Sequence, residues 1–305
     1  MTQNYGKVAF VGLGLIASSM FWAMKRANMS TEVYGFARSA ATRDTARKIG
    51  LCDHVCDTLI EAVKDADLVV LAVPIGAMAG VAQEIAPHLK VGATVTDVGS
   101  VKREVIDCVG PHLPEHVHFI PGHPVAGTEH SGPESGFAEL YDGRWCLLTP
   151  DGEADSDALG QLKEFWENLG SHVEVMDPDH HDLVVAVTSH APHLIAYTMV
   201  GVADDLRRVT DSEVIKYSAG GFRDFTRIAA SDPTMWRDVF LSNKEATLEI
   251  LGRFTEELFA LQRAIRTGDG EHLHDYFTRT RAIRRGIIEA GQDTDAPNFG
   301  RGNTR

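Results

Sequence analysis

Cysteine is scarce in this chain. Four residues in 305, Cys52, Cys56, Cys108 and Cys146, form no CxxC pair and no disulfide-dense pattern. That excludes a disulfide scaffold and predicts structural thiols in a reducing cytoplasm. Positive charge is also short, with 29 Lys and Arg against 43 Asp and Glu and a formal net charge of -14. Sequence-independent binding to nucleic acid and attachment to an anionic membrane both rest on clustered Lys and Arg, so neither partner is expected. Any anionic ligand must be held by local positive charge. Long apolar runs are missing too. The uncharged stretch Val8 to Met24 falls short of the about 20 residues of a membrane span and is broken by Gly12, Gly14, Ser18 and Ser19, so it reads as strand, turn and helix. No second candidate span is found. Metal motifs are lacking as well: there is no HExxH and no carboxylate at a fixed spacing that completes a site.

What is present is a globular composition, 44% hydrophobic and 24% charged, long enough for one large or two ordinary domains. The β-branched run Lys7 to Val11 predicts a strand, and a helical pattern follows to about Ala27. Between them stands G-x-G-x-x-A, with Gly12 for the tight turn, Gly14 for close approach of a pyrophosphate, and the small Ala17 for helix packing. The N–H groups of Leu15, Ile16 and Ala17 then open a helix whose positive dipole end suits phosphate. A glycine-rich turn with no ligand is the alternative. The second strand, Glu32 to Ala37, ends without the acidic residue that would bind an adenosine 2′-hydroxyl. Arg38 and Ser39 stand there instead, with Arg43 following, and a guanidinium with a hydroxyl suits a 2′-phosphate. An NAD(P) cofactor is expected, with NADP slightly favoured over NAD.

Asp67 to Pro74 predicts a buried parallel strand, ending at Val73 and Pro74 beside the cofactor edge. Ala93 to Val98 is the next strand. Ser100 follows, either as a ligand hydroxyl at the C-terminal end of a strand or as the N-cap of a helix from Val101 to Val109, and the two roles are compatible. His118 to Pro121 predicts a short strand that opens the stretch Phe119 to Gly132, which delivers His123 between Gly122 and Pro124. A strand at Arg144 to Leu148, a helix at Asp155 to Leu169 and a strand at His172 to Val175 close the sheet. From Asp177-Pro178, an N-cap followed by proline at the first helical position, the pattern is helical throughout. The expected fold is an α/β Rossmann-type doubly wound sheet followed by an all-helical C-terminal domain. Its parts are a dinucleotide-binding domain over residues 1–173 and a substrate-binding and dimerisation domain over 174–305.

In the helical half, His190 and His193 share one face of a helix that Pro192 bends, and they suit substrate contacts or hydrogen bonds better than metal. His180 and His181 read mainly as residues that begin a helix. Gly220 and Gly221 permit close backbone approach. Arg223 and Arg227 then bring guanidinium groups to a loop and helix start, where Asp224, Asp232 and Asp238 are possible ion-pair partners and Arg223 is the more structural of the two. Leu251, Phe254, Leu258, Leu261 and Ile265 form a three-four seam on a helix from Asn243 to Arg266. Such a seam packs on another helix, and with an all-helical second half it suggests a homodimer. The tail from Gly291 is polar and glycine-rich, expected to fray.

The strings GLGLIASS, TDVGSVK, PGHPVAGTEHSG, SHAPHLIAY and GGFRDFTRIAASDPTMWRD, in this order over nearly the whole chain, resemble the prephenate dehydrogenase family, which includes arogenate and cyclohexadienyl dehydrogenases. The resemblance implies oxidative decarboxylation of prephenate or arogenate with hydride transfer to NAD(P), in tyrosine biosynthesis. It implies that His123 hydrogen-bonds the ring 4-hydroxyl and polarises or deprotonates it, with Ser100 as its hydrogen-bonding companion. It further implies that Arg227 binds a substrate carboxylate, that His193 and Trp236 line the pocket near Gly220, and that Glu129 and Asp224 form a charged pair gating it. A hydride leaving a carbinol carbon develops positive charge unless the hydroxyl proton also departs, so a neutral imidazole in reach lowers the barrier. Three rival readings stand beside it: another two-domain NAD(P)-dependent hydroxy-acid dehydrogenase, a catalytically inactive nucleotide-sensing dimer, and a purely structural dimer that binds neither ligand.

Overall fold

The structure is a computed structural model that describes residues 5–128, 130–210 and 220–289. Its centre is a six-stranded, wholly parallel sheet of order β3-β2-β1-β4-β5-β6, with β1 Lys7–Val11, β2 Glu32–Phe36, β3 His54–Val55, β4 Leu68–Leu71, β5 Thr94–Asp97 and β6 His118–Phe119. The order of strand addition reverses between β1 and β4, the switch point at which open α/β sheets bind ligands. Helices α1 Leu15–Arg26, α2 Ala40–Ile49, α3 Leu59–Val63, α4 Ile75–Ile85 and α5 Arg103–Val109 supply the crossovers. Strand β4 is buried along its whole length, as a parallel strand covered on both faces must be. One buried cluster joins Val8 and Phe10 to Met20 and Trp166; another joins Ala9 and Val11 to Met78, Val105 and Trp236.

The later strands depart from the sequence reading. β7 Gly122–Pro124, β8 Trp145–Leu148 and β9 His172–Val175 do not extend the large sheet but form a second one, antiparallel between β7 and β8 and parallel between β8 and β9. Backbone pairing is a nonlocal choice that strand periodicity leaves open. Helix α6, Ser156–Asn168, lies between β8 and β9, with the Asp155 carboxylate accepting from the N–H groups of Asp157 and Ala158.

Helix α7, Pro178–Val185, starts as the sequence indicates, with Asp177 capping the N–H groups of Asp179 and His180. It runs through a π-helical turn, Ala186–His190, into α8, Ala191–Thr210. The turn is marked by the Ala191 N–H donating to the Ala186 carbonyl. Pro192 has no N–H and its ring crowds the preceding turn, so widening the helix there absorbs the proline that a plain bend was expected to accommodate. The continuous run Pro178–Asp205 is long and apolar enough by composition to cross a bilayer, which the sequence reading overlooked. Here His181, Asp182 and His190 of that run are buried and hydrogen-bonded. Helices α9 Gly220–Thr226 and α10 Pro233–Ser242 follow.

The chain divides by compactness into Met1–Leu248 and Glu249–Arg305. The second unit holds most of α11, Lys244–Thr267, and all of the described part of α12, Gly270–Glu289. On α11, Leu251 and Leu261 are half-buried while Phe254, Leu258 and Ile265 are exposed. The tail from Gly291 lies outside the described residues.

Candidate active site

The nucleotide loop is built where β1 meets α1. Gly12 has a φ of 101°, and a Cβ there would stand 2.2 Å from the Ala72 carbonyl oxygen, so only glycine fits this turn against the end of β4. Gly14 is the N-cap of α1 and has no side chain with which to cap it. A Cβ on Gly14 would meet no atom within 4 Å. No side chain caps the start of α1 and the space at Gly14 is open, the arrangement that receives a pyrophosphate. Ala17 is fully buried, as close helix packing requires. Val73 and Pro74 lie at the end of β4 beside this loop, half-buried and exposed respectively. These residues therefore fit a dinucleotide.

At the end of β2 the two arginines divide. Arg43 donates to the carbonyls of Ala37 and Arg38 and faces Asp57 at 3.6 Å, so it holds the loop. Arg38 is exposed, and among the described residues its guanidinium has no partner. Ser39 caps α2 by accepting from the Thr42 N–H at 3.4 Å.

His123 sits in β7, buried, with its backbone in register with Leu147 of β8. Its Nδ1 is 2.8 Å from Nε2 of His181, and Nδ1 of His181 is 2.8 Å from the Asp182 carboxylate. The same carboxylate accepts from the N–H groups of Lys102 at 2.8 Å and Arg103 at 3.0 Å, so the N-cap of α5 comes from α7. Ser100 is consequently not the cap that the sequence suggested. It stands half-buried on the β5–α5 loop, and α5 begins at Arg103 rather than Val101. A local carboxylate or hydroxyl is the usual acceptor in a cap; an acceptor from 80 positions away leaves no local signal.

Beneath the histidines, Lys102 is wholly buried and donates to Asp97 at 2.5 Å and to the Gly122 carbonyl at 2.7 Å. Asp97 also accepts from the N–H groups of Gly99 and Gly122. Burial draws both charged groups toward their neutral forms, and their mutual attraction and these hydrogen bonds oppose it. Burial, then the nearby charges of His181 and Lys102, holds His123 well below its ordinary value, so its imidazole is neutral at pH 7. Burial raises the Asp182 carboxyl, but the bonds from His181, Lys102 and Arg103 outweigh it and leave the net direction downward.

The helical residues continue the cluster. His190 Nδ1 is 3.1 Å from Asn243 Nδ2, which also donates to the Asp182 carbonyl, and burial pushes His190 down to about 4. Trp236, on α10, meets His190 edge-on at 6.0 Å and stacks on His193 at 3.7 Å. His193 donates from Nδ1 to the Ser189 carbonyl at 2.8 Å, which makes its Nε2 an acceptor. Burial lowers His193, and the charge of Arg227 acts in the same direction. Arg223 faces Asp224 at 3.5 Å, the structural pairing expected of it. Gly220 opens α9; Glu129, expected to pair with Asp224, lies outside the described residues. No group of three or more His, Cys, Asp or Glu is placed to hold a metal among the described residues. Sequence reasoning missed the roles of Asp97, His181, Asp182 and Asn243, and placed the Lys102 ammonium at a ligand-binding strand end without foreseeing its burial against Asp97. Only the HHD string at His180 to Asp182, beside a capped helix start, offered a signal.

Residues 22–175 match the family model for the prephenate dehydrogenase nucleotide-binding domain, and residues 177–279 match that for the prephenate dehydrogenase dimerization domain. The chain belongs to the prephenate dehydrogenase family. A cyclohexadienyl dehydrogenase of Zymomonas mobilis is 41% identical over 91% of this chain and 94% of its own length. A prephenate dehydrogenase of Bacillus subtilis is 33% identical over 94% of this chain and 77% of its own. Among solved structures, the prephenate dehydrogenase of A. aeolicus in complex with hydroxyphenyl propionate and NAD+ superposes with a TM-score of 0.85 at 34% identity, covering 94% of this chain and 99% of that one. Synechocystis arogenate dehydrogenase gives 0.77 at 27% identity, covering 92% and 99%. As a member of the prephenate dehydrogenase family, the chain is an NAD(P)-dependent oxidoreductase of oxidative decarboxylation in tyrosine biosynthesis.

Proposed function

We propose that the substrate is prephenate or arogenate and that His123 is the base on its ring hydroxyl. The single observation that carries this is a buried, neutral imidazole in the middle of a short strand, with Nδ1 already engaged and Nε2 left for a ligand. A bound nicotinamide supplies the hydride acceptor. His123 takes the hydroxyl proton as the carbinol carbon becomes a carbonyl. Loss of the ring carboxylate as CO2 then leaves an aromatic ring whose oxygen takes the proton back, so the base ends the cycle neutral. Ser100, on the adjoining loop, is the companion donor in this reading. Arg227 holds a substrate carboxylate, with His193, Trp236 and Gly220 lining the pocket and Asp224 at its mouth.

Residues 1–173 serve the dinucleotide and 174–305 the substrate and the dimer. Phe254, Leu258 and Ile265 of α11, exposed in a single chain, supply the apolar face of a homodimer. Unpartnered Arg38 favours NADP over NAD, and four free cysteines suit the cytoplasm. The test is nicotinamide reduction at 340 nm with prephenate or arogenate and NAD or NADP in all four pairings. Turnover in any pairing supports the reading, and silence in all four with folded protein overturns it.

A further inference from the structure

We propose that His181 and Asp182 form a positioning relay that fixes the tautomer of His123, leaving its Nε2 as the basic nitrogen. The inference rests on the reading of His123 as the base and adds two residues to it.

The argument is one of donors and acceptors. Both Asp182 oxygens accept backbone N–H groups, Oδ1 from Lys102 at 2.8 Å and Oδ2 from Arg103 at 3.0 Å. Bonds to both oxygens favour the ionised form, and with the bond from His181 they hold the Asp182 carboxyl below its ordinary value against the effect of burial, so at neutral pH it has no proton to give. The 2.8 Å contact from Asp182 Oδ1 to His181 Nδ1 therefore has the histidine as donor. A neutral imidazole carries one N–H, so His181 Nε2 is a lone pair. The 2.8 Å contact between that nitrogen and His123 Nδ1 then has His123 as donor, which leaves the lone pair of His123 on Nε2.

The reverse chain would need His181 to be a cation. The groups facing it are Asp182, Lys102 and Asp97, and His123 itself faces His181, Lys102 and His190. With the wholly buried Lys102 ammonium beside both rings, a second resting cation is disfavoured. The transient charge on His123 during turnover is another matter. It then lies one imidazole away from the Asp182 carboxylate, whose position is locked by the start of α5 and by Asn243 donating to its own backbone carbonyl at 2.8 Å. Asp182 stays ionised throughout, orienting and stabilising rather than taking the proton.

Two side chains of similar volume separate this role from packing. His181→Gln can still accept from His123 Nδ1, whereas His181→Met cannot. Expected is a kcat about 100-fold lower for the Met variant, with KM and NADPH affinity near wild type, and a kcat within about tenfold of wild type for Gln. Nitrogen-15 NMR of histidine-labelled wild-type protein should find His123 protonated on Nδ1 and bare on Nε2, a readout that needs no variant to fold. His123 protonated on Nε2 at rest would overturn the relay, and so would equal kcat for the Met and Gln variants. His123→Asn, measured alongside, tells the two ideas apart. If it abolishes turnover while His181→Met does not, the relay fails and the base stands; if it leaves kcat unchanged, the base itself fails.

Discussion

The Lys102 ammonium donates to the carbonyl of Gly122, the residue immediately before His123, at 2.7 Å while pairing with Asp97. A buried ion pair thus grips the backbone that carries the base. Lys102→Met would leave Asp97 buried without its counter-charge, and removing one partner of a buried pair costs about 3–5 kcal/mol. A fall in the midpoint of denaturant unfolding is expected, and Asp97→Asn in the same chain should recover part of it. An unchanged midpoint for the single variant would show that the pair contributes little to stability.

His123→Asn should lower kcat by about 10²- to 10⁴-fold while cofactor affinity stays near wild type. Steady-state rates with NADPH binding by fluorescence check both halves of that statement.

The pH dependence follows from direction alone. His123 is depressed by burial, so it remains a free base well below pH 6.5, and kcat/KM should stay level from neutral pH down past the ordinary histidine range before falling. Stability behaves otherwise. His190 titrates near 4 when folded and near 6.5 when unfolded, so between those values the unfolded chain binds more protons and stability rises with pH. Cooling of the melting temperature should begin below about pH 6.5, before activity is lost to the base. A kcat/KM limb centred at 6.5 would contradict the burial of His123.

Arg227→Ala should act chiefly on KM for the anionic substrate, at about 2–4 kcal/mol in kcat/KM. A wild-type KM would send the carboxylate elsewhere.

Arg38→Asp exchanges an exposed, unpartnered cation for an acid that can accept from a ribose hydroxyl. The ratio of kcat/KM for NADP over NAD should drop by at least about tenfold. The same ratio in both proteins would refute a 2′-phosphate contact.

Much of the architecture was legible because it is local. Strand β1 ends where a glycine must turn, α7 begins at an Asp-Pro cap, and His123 announces itself by a motif of glycine and proline neighbours. Periodicity, propensity and capping all act within a few residues, so one strand or helix carries its own signature. Pairing does not. That β7, β8 and β9 leave the main sheet was decided by which backbone edges met after folding. That Asp182 caps a helix 80 residues earlier, that Lys102 is buried against Gly122, and that His181, read as a residue that begins a helix, touches the base are likewise products of packing between distant segments. The sequence by itself determined the nucleotide loop, the order of elements and the candidate base. Tertiary structure alone decided the base's partners, because a buried donor must find whichever acceptor the fold brings within about 3 Å, however far away it lies along the chain.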